Sequence, residues 1–177
     1  MPVLNRDRVN LHYETYGEGP AILLSHGYSA TSQMWQGQIE DFSRRHQLIL
    51  WDMRGHGRSD YPTEVSAYSE EATVADMAAL LDAVGADHAI VGGLSLGGYM
   101  SLAFHRVHPE WVRALLIVDT GPGFKNDEAR ERWNQLGLEY ASRFEVEGLG
   151  YLRSLSPEMA MSTHRSAGSW SEPLAAC

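Results

Sequence analysis

The sequence predicts an α/β protein, a doubly wound and mostly parallel sheet with helices against it. Three observations predict this. Short apolar runs, "AILL", "LILW", "AIV" and "ALLIV", recur through the first 120 residues. Segments with apolar residues at helical spacing lie between them, so strand and helix alternate. The runs are apolar at successive positions, as strands buried on both faces require.

The elements follow in order. "RVNLHYETYG" alternates Val9, Leu11 and Tyr13 with polar neighbours and ends in "GEGP", which reads as a half-exposed strand and a turn. "AILLSHG" reads as a buried strand. "SQMWQGQIEDFSRRH" places Trp35, Ile39 and Phe42 at helical spacing, and "QLILWDM" is the next buried strand. After the loop "RGHGRSDYPTEVSAYS", the segment "EEATVADMAALLDAVGA" aligns Val74, Met77, Leu80, Leu81 and Val84 on one helical face, with Gly85 to stop the helix. A strand "HAIVGG", a helix from Ser95 onward and a strand "VRALLIVDT" complete the alternation.

Near Gly121–Phe124 the pattern changes. Trp133, Leu136, Tyr140 and Phe144 then recur every three or four residues, predicting a longer helix. "VEGLGYLRSLSPEMAMSTHR" reads as short helices, and "SAGSWSEPLAAC" has no period. The expected organisation is therefore 1–124 as a sheet-and-helix core, 125–165 as a helical segment and 166–177 as an irregular tail.

Composition narrows the function classes. Lys and Arg total 14 against 23 Asp and Glu, a net charge of −9. No basic stripe suits nucleic acid. The start "MPVLNRDRVN" lacks the apolar core of a signal peptide, and "ALLIV" is too short to span a bilayer. The single cysteine, Cys177, cannot form an internal disulfide, so the expected setting is cytoplasmic, away from membranes.

The chemistry concentrates in "GGLSLGGYM", residues 92–100. Ser95 stands in a Gly-x-Ser-x-Gly frame between an apolar strand run and a helical pattern. A nucleophile that must stand clear of a sheet needs a sharp turn, and Gly93 and Gly97 let strand and helix approach there. The helix N-terminus then faces developing negative charge, and the Leu96 N–H is one natural oxyanion donor. "SHGYSA" follows an earlier strand, and the Tyr28 N–H is the candidate second donor, with Gly27 permitting the turn and His26 orienting the loop. "DMRGHGRSD" carries Asp52, Arg54 and His56, which read as a hydrogen-bonded loop beside the nucleophile turn.

Together "SHGYSA", "WDMRGHGRSD", "GGLSLGGYMSLAFHRVHPE" and "LLIVDTGPG" resemble, in order and spacing, the α/β-hydrolase fold superfamily over residues 8 to 165. The nearest likeness is to small bacterial-type esterases and lactonases such as enol-lactone hydrolases. The resemblance implies Ser95 as nucleophile, the Tyr28 and Leu96 N–H groups as oxyanion hole, a lid beginning after Phe124, and no metal or cofactor. A serine at position 95 argues against the dehalogenase and epoxide-hydrolase branches, which use aspartate.

The resemblance also implies the chain order nucleophile, acid, histidine. Asp119, ending the strand "ALLIV", is a candidate acid; as a turn residue it could equally bond nearby backbone. Three histidines follow Ser95. His105 would lie ~15 Å along the helix from the serine, and His108 farther still. His164 falls in the lid-like segment. The triad histidine is therefore expected to be absent, with two further strand–helix units of ~30 residues each lying beyond a C-terminal truncation.

Three functions remain open: a serine hydrolase of a small carboxylic ester or lactone; a carbon–carbon bond hydrolase or cofactor-free perhydrolase on the same scaffold; and a catalytically incomplete fragment or ligand-binding relative. With its next neighbour missing, "ALLIV" should be an exposed edge through which chains self-associate.

Overall fold

Six strands build one sheet in the computed structural model, which describes residues 2–148 and Tyr151. They are β1 (Val3–Arg6), β2 (Val9–Tyr16), β3 (Ala21–Ser25), β4 (Gln47–Trp51), β5 (Ala89–Leu94) and β6 (Val112–Val118). Their order across the sheet is β1-β2-β4-β3-β5-β6. The pairs β3–β4, β3–β5 and β5–β6 are parallel, while β1–β2 and β2–β4 are antiparallel. The sheet is mixed and mostly parallel, with helices α1 (Ile39–Ser43), α2 (Glu70–Ala83) and α3 (Leu96–Val107) between strands.

Side-chain alternation along the strands divides the core in two. Leu23, Ile49, Trp51 and Val91 face Val74, Met77, Leu80 and Leu81 of α2 and Met100, Ala103 and Phe104 of α3. Their neighbours Ile22, Leu24, Leu48 and Leu50 face Trp35, with Ile39 and Phe42 of α1 packed alongside. Every residue of β3 is buried, as a strand covered on both faces must be. Ser69 caps α2 by accepting from the Ala72 N–H at 3.1 Å, and Gly85 supplies the positive φ of 70° that follows the helix.

Two features depart from the sequence expectation. Strand β1 was not legible in the sequence: it joins β2 through Asp7 and Arg8, whose φ angles are 51° and 65°. Two successive positive φ values make a hairpin turn of the primed class, but without the Asn-Gly or Asp-Gly pair that signals it. "SQMWQGQ" is a 3-10 segment, Ser32–Gln38, and only Ile39–Ser43 is α-helical. Gly37, a poor helix former, stands at that junction. Among the described residues β6 lies at the edge of the sheet, and Leu116 and Val118 are 36% and 37% exposed.

The chain divides into two compact units at Gly121–Pro122. The first holds the sheet. In the second, α4 (Asp127–Glu147) is capped by Asn126, whose side chain accepts from the Ala129 N–H. Trp133 lies beside Phe124, and Tyr140 and Phe144 meet the ring of Tyr151. Most of the segment read as short helices, and the tail from Ser166, lie outside the described residues. Among the described residues no helix is long and apolar enough to cross a membrane.

Candidate active site

The loops leaving β3 and β5 part to opposite faces of the sheet. The segment after β3 covers the Ile22–Leu50 face, and α3 after β5 covers the Leu23–Val91 face. Adjacent parallel strands whose connections diverge leave a crevice at their C-terminal ends, where α/β sheets bind ligands. Ser95 and Gly27 lie there.

Ser95 is the single residue between the last residue of β5 and the first of α3. Its backbone is at φ 50°, ψ −112°, a strained conformation for a residue with a side chain, and the residue is exposed. The turn closes only because its flanks are bare. A Cβ on Gly93 would lie 2.5 Å from the Ser25 carbonyl oxygen, and one on Gly97 would lie 2.6 Å from that of His26. The Ser95 N–H donates to Val118 O at 2.9 Å, and Ser95 O accepts from the Tyr99 N–H at 3.0 Å. Strand β6 and the first turn of α3 thus hold the turn from both sides.

Gly27 packs directly against it: a Cβ there would come within 3.8 Å of Ser95 Cβ. Tyr28 follows, its side chain exposed. Among the described residues no hydrogen bond takes up the N–H of Tyr28 or of Leu96. The Leu96 N–H is one of the orphan donors that open a helix; the Tyr28 N–H belongs to a loop. Both sequence-assigned donors are therefore unspent, in residues adjoining Ser95 and Gly27.

The "DMRGHGRSD" loop supports this region from below. Asp52, buried, accepts from the Ser32 N–H at 2.7 Å and the Arg58 N–H at 3.0 Å. His26, also buried, accepts from the Met53 N–H at 2.9 Å through Nε2. His56 packs on His26 with ring centroids 4.8 Å apart, and on Tyr28 at 6.3 Å. Burial lowers the pKa of His56, and burial with the neighbouring His56 lowers that of His26 to about 4, so both rings are neutral at pH 7. Arg54 makes two bonds to Asp76 of α2, at 2.6 and 2.8 Å, and Arg6 of β1 makes another at 2.7 Å. Asp76 and Arg6 were not singled out in the sequence. The signal was there in Asp76, a carboxylate on the buried face of α2 between Val74 and Met77.

Asp119 follows β6 with φ 50° and is exposed; among the described residues no hydrogen bond engages its carboxylate. Asp tolerates this left-handed region better than most side chains. Thr120, next to it, sets its methyl against Gly98 of α3. His105 lies near the far end of α3, and His108 packs beyond it against Phe104 and Trp111. His164 lies outside the described residues. Among the described residues no side chain hydrogen-bonds to Ser95 Oγ. The structure brings together Ser95, Gly27, Tyr28 and Leu96, and brings no described histidine to Ser95 Oγ.

A family model for the alpha/beta hydrolase fold matches residues 20–165. The chain belongs to the alpha/beta hydrolase fold family. Among its curated relatives are a putative carbamate hydrolase, RutD, of Azorhizobium caulinodans and bifunctional epoxide hydrolase 2 of Sus scrofa. The first is 40% identical over 119 residues, 67% of this chain and 44% of that protein. The second is 33% identical over 119 residues, 67% of this chain and 21% of that protein. The chain thus spans less than half the length of either. Among solved structures, a thermophilic esterase from Thermogutta terrifontis superposes with a TM-score of 0.70 and 32% identity, covering 81% of this chain and 51% of that one. An epoxide hydrolase mutant from Vigna radiata gives a TM-score of 0.73 at 23% identity, covering 90% of this chain and 52% of that one, a likeness of fold. The relatives and solved structures named here are hydrolases.

Proposed function

We propose that this chain carries the nucleophile half of a cytoplasmic serine hydrolase acting on a small carboxylic ester or lactone. The observation that carries the reading is Ser95, held at a positive φ between β5 and α3 with Gly27 packed against it. Ser95 Oγ attacks the carbonyl carbon. The carbonyl π electrons move onto oxygen, and the Tyr28 and Leu96 N–H groups bind that oxyanion. Collapse expels the alcohol and leaves an acyl-serine, which water cleaves. The Ser95 proton must leave during attack, and Asp119 is the candidate acid to orient the base that takes it.

Kinship with epoxide hydrolases does not transfer their substrate. A carboxylate that opens an epoxide leaves an ester, which water can cleave. Ser95 would leave an ether, which it cannot. An acyl carbon has no such dead end. The carbamate named for the Azorhizobium relative presents a carbonyl open to the same attack.

The test is hydrolysis of short aryl esters by soluble monomer, beside Ser95→Ala. With no base bonded to Oγ, the expected turnover is small but should still fall in Ser95→Ala, because Oγ attacks into the oxyanion hole without a group to take its proton. Turnover unchanged in Ser95→Ala overturns the reading. Turnover far above this level shows that a base does act, and His164 is then the first residue to replace.

A further inference from the structure

We infer that His26 is a positioning residue that aims the Tyr28 N–H at the reacting oxygen by holding the carbonyl of Gly27. The inference rests on the serine-hydrolase reading above and goes beyond it in assigning how the oxyanion donor is held.

The Gly27 carbonyl and the Tyr28 N–H belong to one peptide unit. Among the described residues no peptide is cis, and in a trans peptide these two groups point in opposite directions. Fixing the carbonyl therefore fixes the N–H. Two donors reach Gly27 O: His26 Nδ1 at 2.8 Å and the Ala30 N–H at 3.2 Å. The ring nitrogens of His26 have assigned roles. The Met53 N–H can only donate, and it reaches Nε2 at 2.9 Å, so Nε2 is bare and the proton is on Nδ1. Strand β4, which ends at Trp51 two residues before Met53, thus sets the tautomer of His26, and the tautomer sets the peptide plane beside Ser95. The ring is fully buried, with the His56 ring tilted against it at 4.8 Å between centroids.

The two halves of this device can be separated. The side-chain nitrogen of Asn overlays Nδ1 and can still donate to Gly27 O, but it cannot reach Met53. The side-chain oxygen of Gln overlays Nε2 and can still accept from Met53, but leaves Gly27 O without its side-chain donor. A role confined to tying β3 to β4 would be kept by His26→Gln and lost by His26→Asn. Positioning through Gly27 gives the reverse.

The experiment uses the full chain, with p-nitrophenyl acetate as substrate and ¹⁵N-histidine and amide NMR as a second readout. His26→Gln is expected to lower kcat about 10²-fold with KM within about threefold, and His26→Asn to stay within about tenfold of the unchanged chain. In the unchanged chain at neutral pH, Nδ1 of His26 should be protonated and Nε2 bare, and the Tyr28 amide resonance should move more in the Gln than in the Asn variant. A proton on Nε2, or equal effects of both variants on the rate and on the Tyr28 amide, overturns the inference. If the unchanged chain shows no Ser95-dependent turnover, the ester reading fails by itself; the tautomer and the Tyr28 amide still decide the role of His26. The tautomer does not depend on the variants folding equally well, because it is read in the unchanged chain.

Discussion

The Ser95 N–H donates to Val118 O at 2.9 Å, and this bond joins two strained turns at the end of the sheet. Ser95 and Asp119, the residue after Val118, both sit at φ 50°. Strain of this kind costs about 1–3 kcal/mol per residue and persists only where surrounding bonds over-determine it. Glycine adopts such angles without a Cβ penalty. Ser95→Gly should therefore stabilise the fold, by about 1 kcal/mol, while removing the reactive hydroxyl. A urea titration beside fluorophosphonate labelling checks both halves; a less stable Gly variant would show that the angle is not strained.

The bare flanks of the turn predict the opposite sign. Gly97→Ala places a methyl against the carbonyls of Ser25 and His26. Both are backbone atoms of a buried segment and cannot step aside. A loss of about 1–3 kcal/mol is expected, typical of overpacking. Gly137→Ala is the control, since a Cβ there meets nothing within 4 Å. Equal unfolding midpoints for the two would refute the close approach.

Asp76 holds two arginines, Arg54 buried beside it and Arg6 at the edge of the sheet. Asp76→Ala leaves Arg54 buried without its partner, a change that costs about 3–5 kcal/mol. The loop "MRGHGRSD" should loosen with it, because Arg54 is what ties that loop to α2. Faster amide exchange at Gly55 and His56 is the expected signature, and unchanged exchange there would count against the tie.

Acid should weaken the fold through His26. Its pKa falls from the ordinary 6.5 to about 4, with burial the larger cause and His56 the second. A histidine held neutral contributes its full stabilisation above the unfolded value and loses it as pH falls toward the folded one. Unfolding free energy should therefore drop between about pH 6.5 and pH 4, by up to ~3 kcal/mol from this ring. His56 shifts in the same direction. Comparing urea midpoints across this range with those of His26→Asn isolates the contribution, since the variant should show a shallower slope.

Among the described residues β6 ends the sheet with Leu116 and Val118 partly exposed, and an apolar edge without proline invites strand pairing with a second chain. Leu116→Lys should raise the monomer fraction in sedimentation without altering the unfolding midpoint. An unchanged oligomer distribution would remove β6 from self-association.

The order of strands and helices and the place of Ser95 were legible in the sequence because they rest on local patterns. Continuous apolar runs mark strands covered on both faces, helical spacing marks what covers them, and Gly93 and Gly97 around Ser95 mark a turn that tolerates no side chains. What the sequence could not determine depends on partners distant along the chain. Strand β1 exists because β2 is there to pair with it, through a turn whose Asp-Arg pair carries no signal. Asp76 is an anchor only because Arg54 and Arg6, 22 and 70 residues away, meet it in a buried place. The direction of the Tyr28 amide is the plainest case. It follows from a peptide plane held by a ring whose own tautomer is set by Met53, 27 residues on. A hydrogen-bond direction belongs to a three-dimensional arrangement of donors and acceptors, and only folding brings those atoms within reach of one another.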